Sequence, residues 1–206
     1  MNKKLLFVLL CVSFKSCGYW INPRYSKMSK KIQEEYKIEP LESIKEFSRD
    51  RNAYEIYSTD VQTTKDLIQY SEKPYTLVVF YAHWCTPCHK NMPEVVRFED
   101  QNKDSLNLIC ISSSDWLEKE KEITYLKKYQ VGQKTSLIID YKGYGDEFMN
   151  WNRIANFLSE LVPKKYSREN EFTIALPHYL LFNSNMKLLK ENGAPFLATD
   201  FEKYLN

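Results

Sequence analysis

From Ala53 onward the hydrophobic and polar positions fall into two alternating periods. Ala53 to Ser58 is strand-like and Thr63 to Tyr70 helical, while Tyr75 to Ala82 sets β-branched and aromatic residues side by side, as a central strand buried on both faces does. Pro87 then supplies the fixed φ of a first helical turn, and Met92, Val95, Val96 and Phe98 keep helix-compatible spacing to about Asp104. Pro93 has no N–H for the carbonyl of His89, which predicts a kink there. Leu106 to Ser112 reads as the next strand. Asp115 with Glu118 three residues later has the form of a capping box opening a helix to about Tyr129. Thr135 to Asp140 is a further strand, and Phe148, Trp151, Ile154, Phe157, Leu158 and Leu161 recur at helical spacing until Pro163 stops the run. Phe172, Ile174 and Leu176 alternate, Tyr179 to Asn183 and Leu188 to Lys190 flank a short polar turn, and Thr199 with Glu202 caps a last helix. Strands and helices in this order predict an α/β fold, a central mixed β-sheet flanked by helices.

The residues before Ala53 follow other rules. Lys3 and Lys4 precede the apolar run Leu5 to Val12, a charged n-region and an h-region of signal-peptide length. The run is shorter than the roughly 20 apolar residues a bilayer span needs. Two processing sites are readable: a lipoprotein site at Cys17, and an ordinary cut after Gly18. The first is preferred, because Phe14, Lys15, Ser16 and Cys17 resemble a bacterial lipobox in the small residue before Cys, although Lys15 departs from it. Asn22 to Asn52 is polar and charged, and reads as a tether or peripheral extension. The expected organisation is a leader over 1–17, an extension over 18–52 and one folded domain over 53–206.

Composition narrows the chemistry. The formal charge is +2, but removing the three lysines of the first sixteen residues from 29 basic against 27 acidic residues leaves −1. A near-neutral body gives no electrostatic case for nucleic acid. Of the five cysteines, Cys11 and Cys17 lie in the leader region, so Cys85, Cys88 and Cys110 remain for the fold. One close pair and one single do not make a disulfide-stapled mini-protein. Cys110, inside an apolar strand pattern, is expected to behave as a small buried hydrophobe.

Trp84, Cys85, Thr86, Pro87 and Cys88 place a C-x-x-C where a strand gives way to a helix. A sulfur at a helix N-terminus faces unpaired backbone N–H groups and the positive end of the macrodipole, which favours its thiolate. Cys88 lies one turn further on, within reach of a mixed disulfide formed at Cys85. Cys85 is therefore the expected nucleophile, exposed at the strand end, and Cys88 the shielded resolving thiol.

The stretch from Leu77 to Pro93, containing VVFYAHWCTPC with a Pro five residues after the second Cys, resembles the thioredoxin superfamily, and within it the TlpA-like branch of exported proteins. Ile111 to Trp116 is similar to a strand and following Trp of that branch, and Leu176 to Leu181 to its cis-proline strand. The resemblance implies a thioredoxin fold over most of Ala53 to Asn206, a thiol:disulfide oxidoreductase that needs no cofactor beyond a Cys85–Cys88 disulfide, and a cis Pro177 facing that pair. It further implies that Trp84, Leu176 and Pro177 shape the substrate surface, and that Thr86 and Pro87, like the Gly-Pro of reducing thioredoxins, lean toward reduction. Partners would be protein thiols and disulfides of a bacterial cell envelope on its periplasmic side, an upstream donor such as a membrane thiol reductant, and the membrane itself if Cys17 is acylated. Two carboxylates of the family are missing: Val79 stands six residues before the first Cys and Asn91 three residues after the second.

All three histidines, His83, His89 and His178, fall beside these motifs, which suggests a thiolate fraction that varies between about pH 5 and 8. Two other functions stay open. Cys85, Cys88 and a His could hold or deliver a soft cation such as Cu(I), although no second C-x-x-C completes a structural zinc site. The fold could alternatively serve as a non-catalytic interaction module.

Overall fold

A computed structural model of the chain describes residues 29–35, 37–41, 53–144, 151–166 and 174–205. The expected leader over 1–17, with Cys17, lies outside the described residues, as do Phe148 and Phe172. Among the described residues no helix is long and apolar enough to cross a membrane.

In chain order the elements are α1 (Lys30–Glu35), β1 (Glu55–Thr59), α2 (Val61–Gln69), β2 (Tyr75–Tyr81), α3 (Thr86–Gln101), β3 (Leu106–Ser112), a 3-10 turn (Trp116–Glu118), α4 (Lys119–Tyr129), β4 (Thr135–Ile139), α5 (Tyr141–Tyr144), α6 (Trp151–Leu161), β5 (His178–Asn183), β6 (Leu188–Gly193) and α7 (Thr199–Glu202). The strands form one sheet in the order β1-β4-β3-β2-β5-β6. The first four are parallel neighbours and β5 and β6 are antiparallel, so the sheet is mixed as the pattern predicted. In β2 six of seven residues are buried, which suits a strand with partners on both sides.

Consecutive strand residues point to opposite faces, and two of them locate the helices. Phe80 meets Phe157 of α6 edge-on at 5.9 Å, whereas Tyr81 stacks on Tyr125 of α4 at 5.1 Å. Helices therefore cover both faces. Asp60, not the expected Thr63, starts α2: its carboxylate accepts the Thr63 N–H at 2.7 Å. The helix α3 runs on through Pro93 as one sixteen-residue element.

Three expectations are corrected. The capping box at Asp115 does not form: Asp115 accepts from Leu117 N at 3.0 Å and opens only the 3-10 turn, while the Glu118 carboxylate faces Lys121 and His83. Thr199 is the first residue of α7, not its cap, because the chain is already helical at Ala198. Ile174 and Leu176 are buried but lie outside the strand, which begins at His178.

The extension is also more than a tether where it is described. Pro40 bridges Ser58 in parallel, with Ser58 N donating to Glu39 O at 2.8 Å and Leu41 N to Ser58 O at 3.2 Å. Ile38 is 1% exposed and Leu41 is buried. The segment thus covers part of the β1 edge, which would otherwise offer unpaired backbone groups. Two apolar residues in a charged stretch give no period to read, so only the docking reveals them. Ile38→Ala is expected to cost about 2–5 kcal/mol in urea unfolding, against less than about 0.5 kcal/mol for exposed Lys37→Ala.

Candidate active site

The chain leaves β2 at Tyr81, turns through Ala82, His83 and Trp84, and enters α3 at Cys85. Cys85 is the N-cap, with extended backbone, and its Sγ accepts the Cys88 N–H at 3.1 Å. The two cysteines are joined in a disulfide with their Cα atoms 5.2 Å apart. One of the backbone donors that a helix start leaves unpaired is therefore aimed at the first sulfur. Cys85 is 5% exposed and Cys88 2%. The first Cys is thus shielded almost as well as the second, contrary to expectation, and it is Trp84, 46% exposed, that stands in solvent.

Pro177 immediately precedes β5, whose His178 pairs with Phe80, so it lies at the end of β2 from which the chain turns toward Cys85. The Leu176–Pro177 peptide is cis, as the resemblance implies. Thr86 and Pro87 form the first turn of α3. Val79 is fully buried between Cys110 of β3 and Tyr179 of β5. Cys110 is a free thiol, its pKa pushed well up by burial, and it packs as the small buried hydrophobe expected. Asn91 serves as a tie: Oδ1 accepts Phe196 N at 2.6 Å and Nδ2 donates to Pro87 O at 2.7 Å, joining the first turn of α3 to the segment after β6.

The histidines divide into two groups. His89 Nε2 reaches His83 O at 2.6 Å and its Nδ1 faces Tyr129 Oη at 2.8 Å. His83 Nδ1 lies 2.8 Å from Glu122 Oε1, and Nε2 lies 3.6 Å from Glu118. The sequence reading missed Glu122, although Glu122, Tyr125, Leu126 and Tyr129 share the inward i, i+3, i+4, i+7 face of α4. Among the described residues no group of three or more His, Cys, Asp or Glu side chains is gathered as for a metal ion.

His178 belongs to a separate cluster on β5. Its Nε2 lies 2.8 Å from Tyr166 Oη and 3.3 Å from Glu191, which also pairs with Lys165. Burial holds the imidazole below its ordinary 6.5, outweighing the pull of Glu191. For Glu191 burial acts upward, but hydrogen bonds from Lys165 and Tyr166 leave the carboxyl below its ordinary 4.5. Both groups bind protons more readily unfolded, so stability falls with acidification. The His178 contribution is complete above about pH 6.5 and is lost as pH falls below it, and that of Glu191 is lost below about pH 4.5. His178→Gln is expected to flatten the pH 7 to 5 part of a thermal-melting profile and to leave the steeper fall below pH 4.5 in place.

A thioredoxin family model matches residues 55–149. The thioredoxin-like protein YneN of Bacillus subtilis (strain 168) is 23% identical over 149 residues, covering 72% of this chain and 78% of that one. The crystal structure of StoA from Bacillus subtilis superposes with a TM-score of 0.43 at 19% identity, over 66% of this chain and 86% of that one. A thiol-disulfide oxidoreductase from Bacteroides fragilis NCTC 9343 gives 0.43 at 20% identity, over 66% and 88%. With that matched segment, its strand order and a C-x-x-C disulfide capping the helix after β2, the chain has the thioredoxin fold and, over residues 55–149, a thioredoxin-family segment that carries the cysteine pair of a thiol:disulfide oxidoreductase.

Proposed function

We propose that the protein exchanges disulfides with proteins of a bacterial cell envelope, as in the TlpA-like branch, and that it runs as a reductase. The observation that carries the reading is Cys85 at the N-cap of α3, bridged to Cys88 and accepting the helix's own N–H. In the reduced protein Cys85 thiolate attacks one sulfur of a substrate disulfide. That S–S bond breaks, a Cys85–substrate bond forms, and the first substrate sulfur leaves as thiolate. Cys88, deprotonated, then attacks Cys85 Sγ and releases the second substrate thiolate. Two electrons pass to the substrate, its sulfurs take protons from solvent, and the Cys85–Cys88 bridge is restored. An upstream dithiol, such as a membrane thiol reductant, reverses these steps to reload the pair.

Exposed Trp84, with Leu176 and Pro177 at the neighbouring end of β5, is the surface assigned to the substrate strand. Thr86-Pro87, similar to the Gly-Pro of reducing thioredoxins, supports the reductive direction. The charged and apolar start of the chain, Lys3 to Val12, supports export, and Cys17 is the assigned lipid anchor. The ring nitrogens of His83 and His89 are engaged by Glu122, Glu118, Tyr129 and a backbone carbonyl, which favours exchange over Cu(I) carriage.

Insulin reduction with dithiothreitol is expected to fall to background in both Cys85→Ser and Cys88→Ser. Only Cys88→Ser should accumulate mixed disulfides with envelope proteins, visible on non-reducing gels. Capture by Cys85→Ser instead would reverse the assigned roles. Stoichiometric copper after mild purification, with no insulin reduction by the wild type, would favour the soft-metal reading.

A further inference from the structure

Glu122 reaches the active-site turn from α4 with its side chain fully buried. Its Oε1 accepts the His83 backbone N–H at 3.0 Å and lies 2.8 Å from His83 Nδ1, while Ser114 Oγ donates to the same oxygen. The Ser114 carbonyl is in turn held at 3.0 Å by Nη1 of Arg153, a buried residue of α6. From the other side His89 Nε2 contacts the His83 carbonyl, and Cys85 N donates to Ala82 O at 3.1 Å. The peptide unit two residues before Cys85 is thus gripped at both ends. Glu122 Oε2 finds no hydrogen-bond partner among the described residues.

Burying a carboxylate costs several kcal/mol unless donors meet it. Here the donors come from the turn and from Ser114, not from a basic residue on α4. Neither packing nor helix formation calls for an acid at this inward position, where Tyr125 and Leu126 supply apolar contact. What the acid adds is an acceptor aimed at the turn.

We propose that Glu122 is a positioning residue of the exchange reaction: by accepting from His83 N and Nδ1 it fixes the Ala82–Cys85 turn, so that Cys85 Sγ stays over the N–H groups that open α3. The inference rests on Cys85 being the attacking sulfur. The operative feature is the reach and acceptor character of Oε1, not its charge. Glu118 faces His83 Nε2, and Glu120, Lys121 and Lys128 line the cleft beside His83 and His89. Charge near the turn therefore does not depend on Glu122 alone.

Three variants of the full chain separate reach from charge. Asp keeps the charge and loses the reach, Gln keeps the acceptor and loses the charge, and Ala loses both. The readouts are the pH profile of Cys85 alkylation by iodoacetamide in the reduced protein and the equilibrium with glutathione redox buffers. In Glu122→Asp and Glu122→Ala, alkylation at pH 6 is expected to slow about tenfold, with the profile moved up by about one pH unit. A less stabilised thiolate disfavours the reduced form, so the exchange constant shifts about tenfold toward the disulfide, equivalent to about 30 mV. Glu122→Gln is expected to stay within about twofold of wild type in both readouts. Ile38→Ala, destabilised far from the turn, should keep the wild-type profile and so control for loss of stability. Wild-type profiles in all three variants, or a Gln variant that shifts while Asp does not, would overturn the positioning role while leaving the exchange function intact. If the Glu122→Ala protein does not fold, the Asp and Gln pair still decides. A wild-type pair that never cycles between bridged and free sulfurs would remove the proposed function, and this inference with it.

Discussion

The site depends on one junction, where the short turn after a buried strand hands the chain to the first turn of a helix with a sulfur at the cap. At Cys85 the backbone is still extended, yet its side chain already accepts an N–H from inside α3. A helix start leaves several donors unpaired, and their summed dipoles favour negative charge within the first turn. Sulfur placed there can carry charge while a bond is broken and remade. The same Cys one turn later would have no such donors, because the helix would already have used them.

Holding that junction still is the work of side chains from elements distant in sequence. The register of β2 between β3 and β5 fixes where the strand ends, and it brings Pro177 to the same end of the sheet. Glu122 and His89 grip the turn from two helices, and Asn91 ties the first turn of α3 to the chain beyond β6. Polar groups do this inside an apolar shell, where each hydrogen bond is stronger than in water and each unmade one more costly.

The two positions at which the resemblance implies carboxylates illustrate the point. Val79 leaves the middle of β2 wholly apolar, and Asn91 spends both ends of its amide on backbone groups. A buried acid nevertheless lies close to the turn, entering from α4 instead of β2 or α3. Its location follows from the inward face of α4, with Tyr81 and Tyr125 stacked beside it.

Local pattern was sufficient for the strands, the longer helices and the cysteine pair, but not for the short helices Lys30–Glu35 and Tyr141–Tyr144. Short unbroken runs of β-branched and aromatic residues such as Tyr75 to Tyr81 read as strands buried on both faces, by their length and residue types, and a C-x-x-C at a strand end has few other meanings. Helix starts were less legible: Asp60 and Asp115 cap through bonds two or three residues away, and whether the box partner Glu118 turns back or outward depends on His83, far earlier in the chain. The docking of Ile38 and Leu41, the separation of His178 from the other histidines, and the convergence of Glu122, Ser114 and His83 were decided only by tertiary structure. Each is a contact between residues far apart in the chain, and periodicity reports which face a residue occupies, never which partner that face meets.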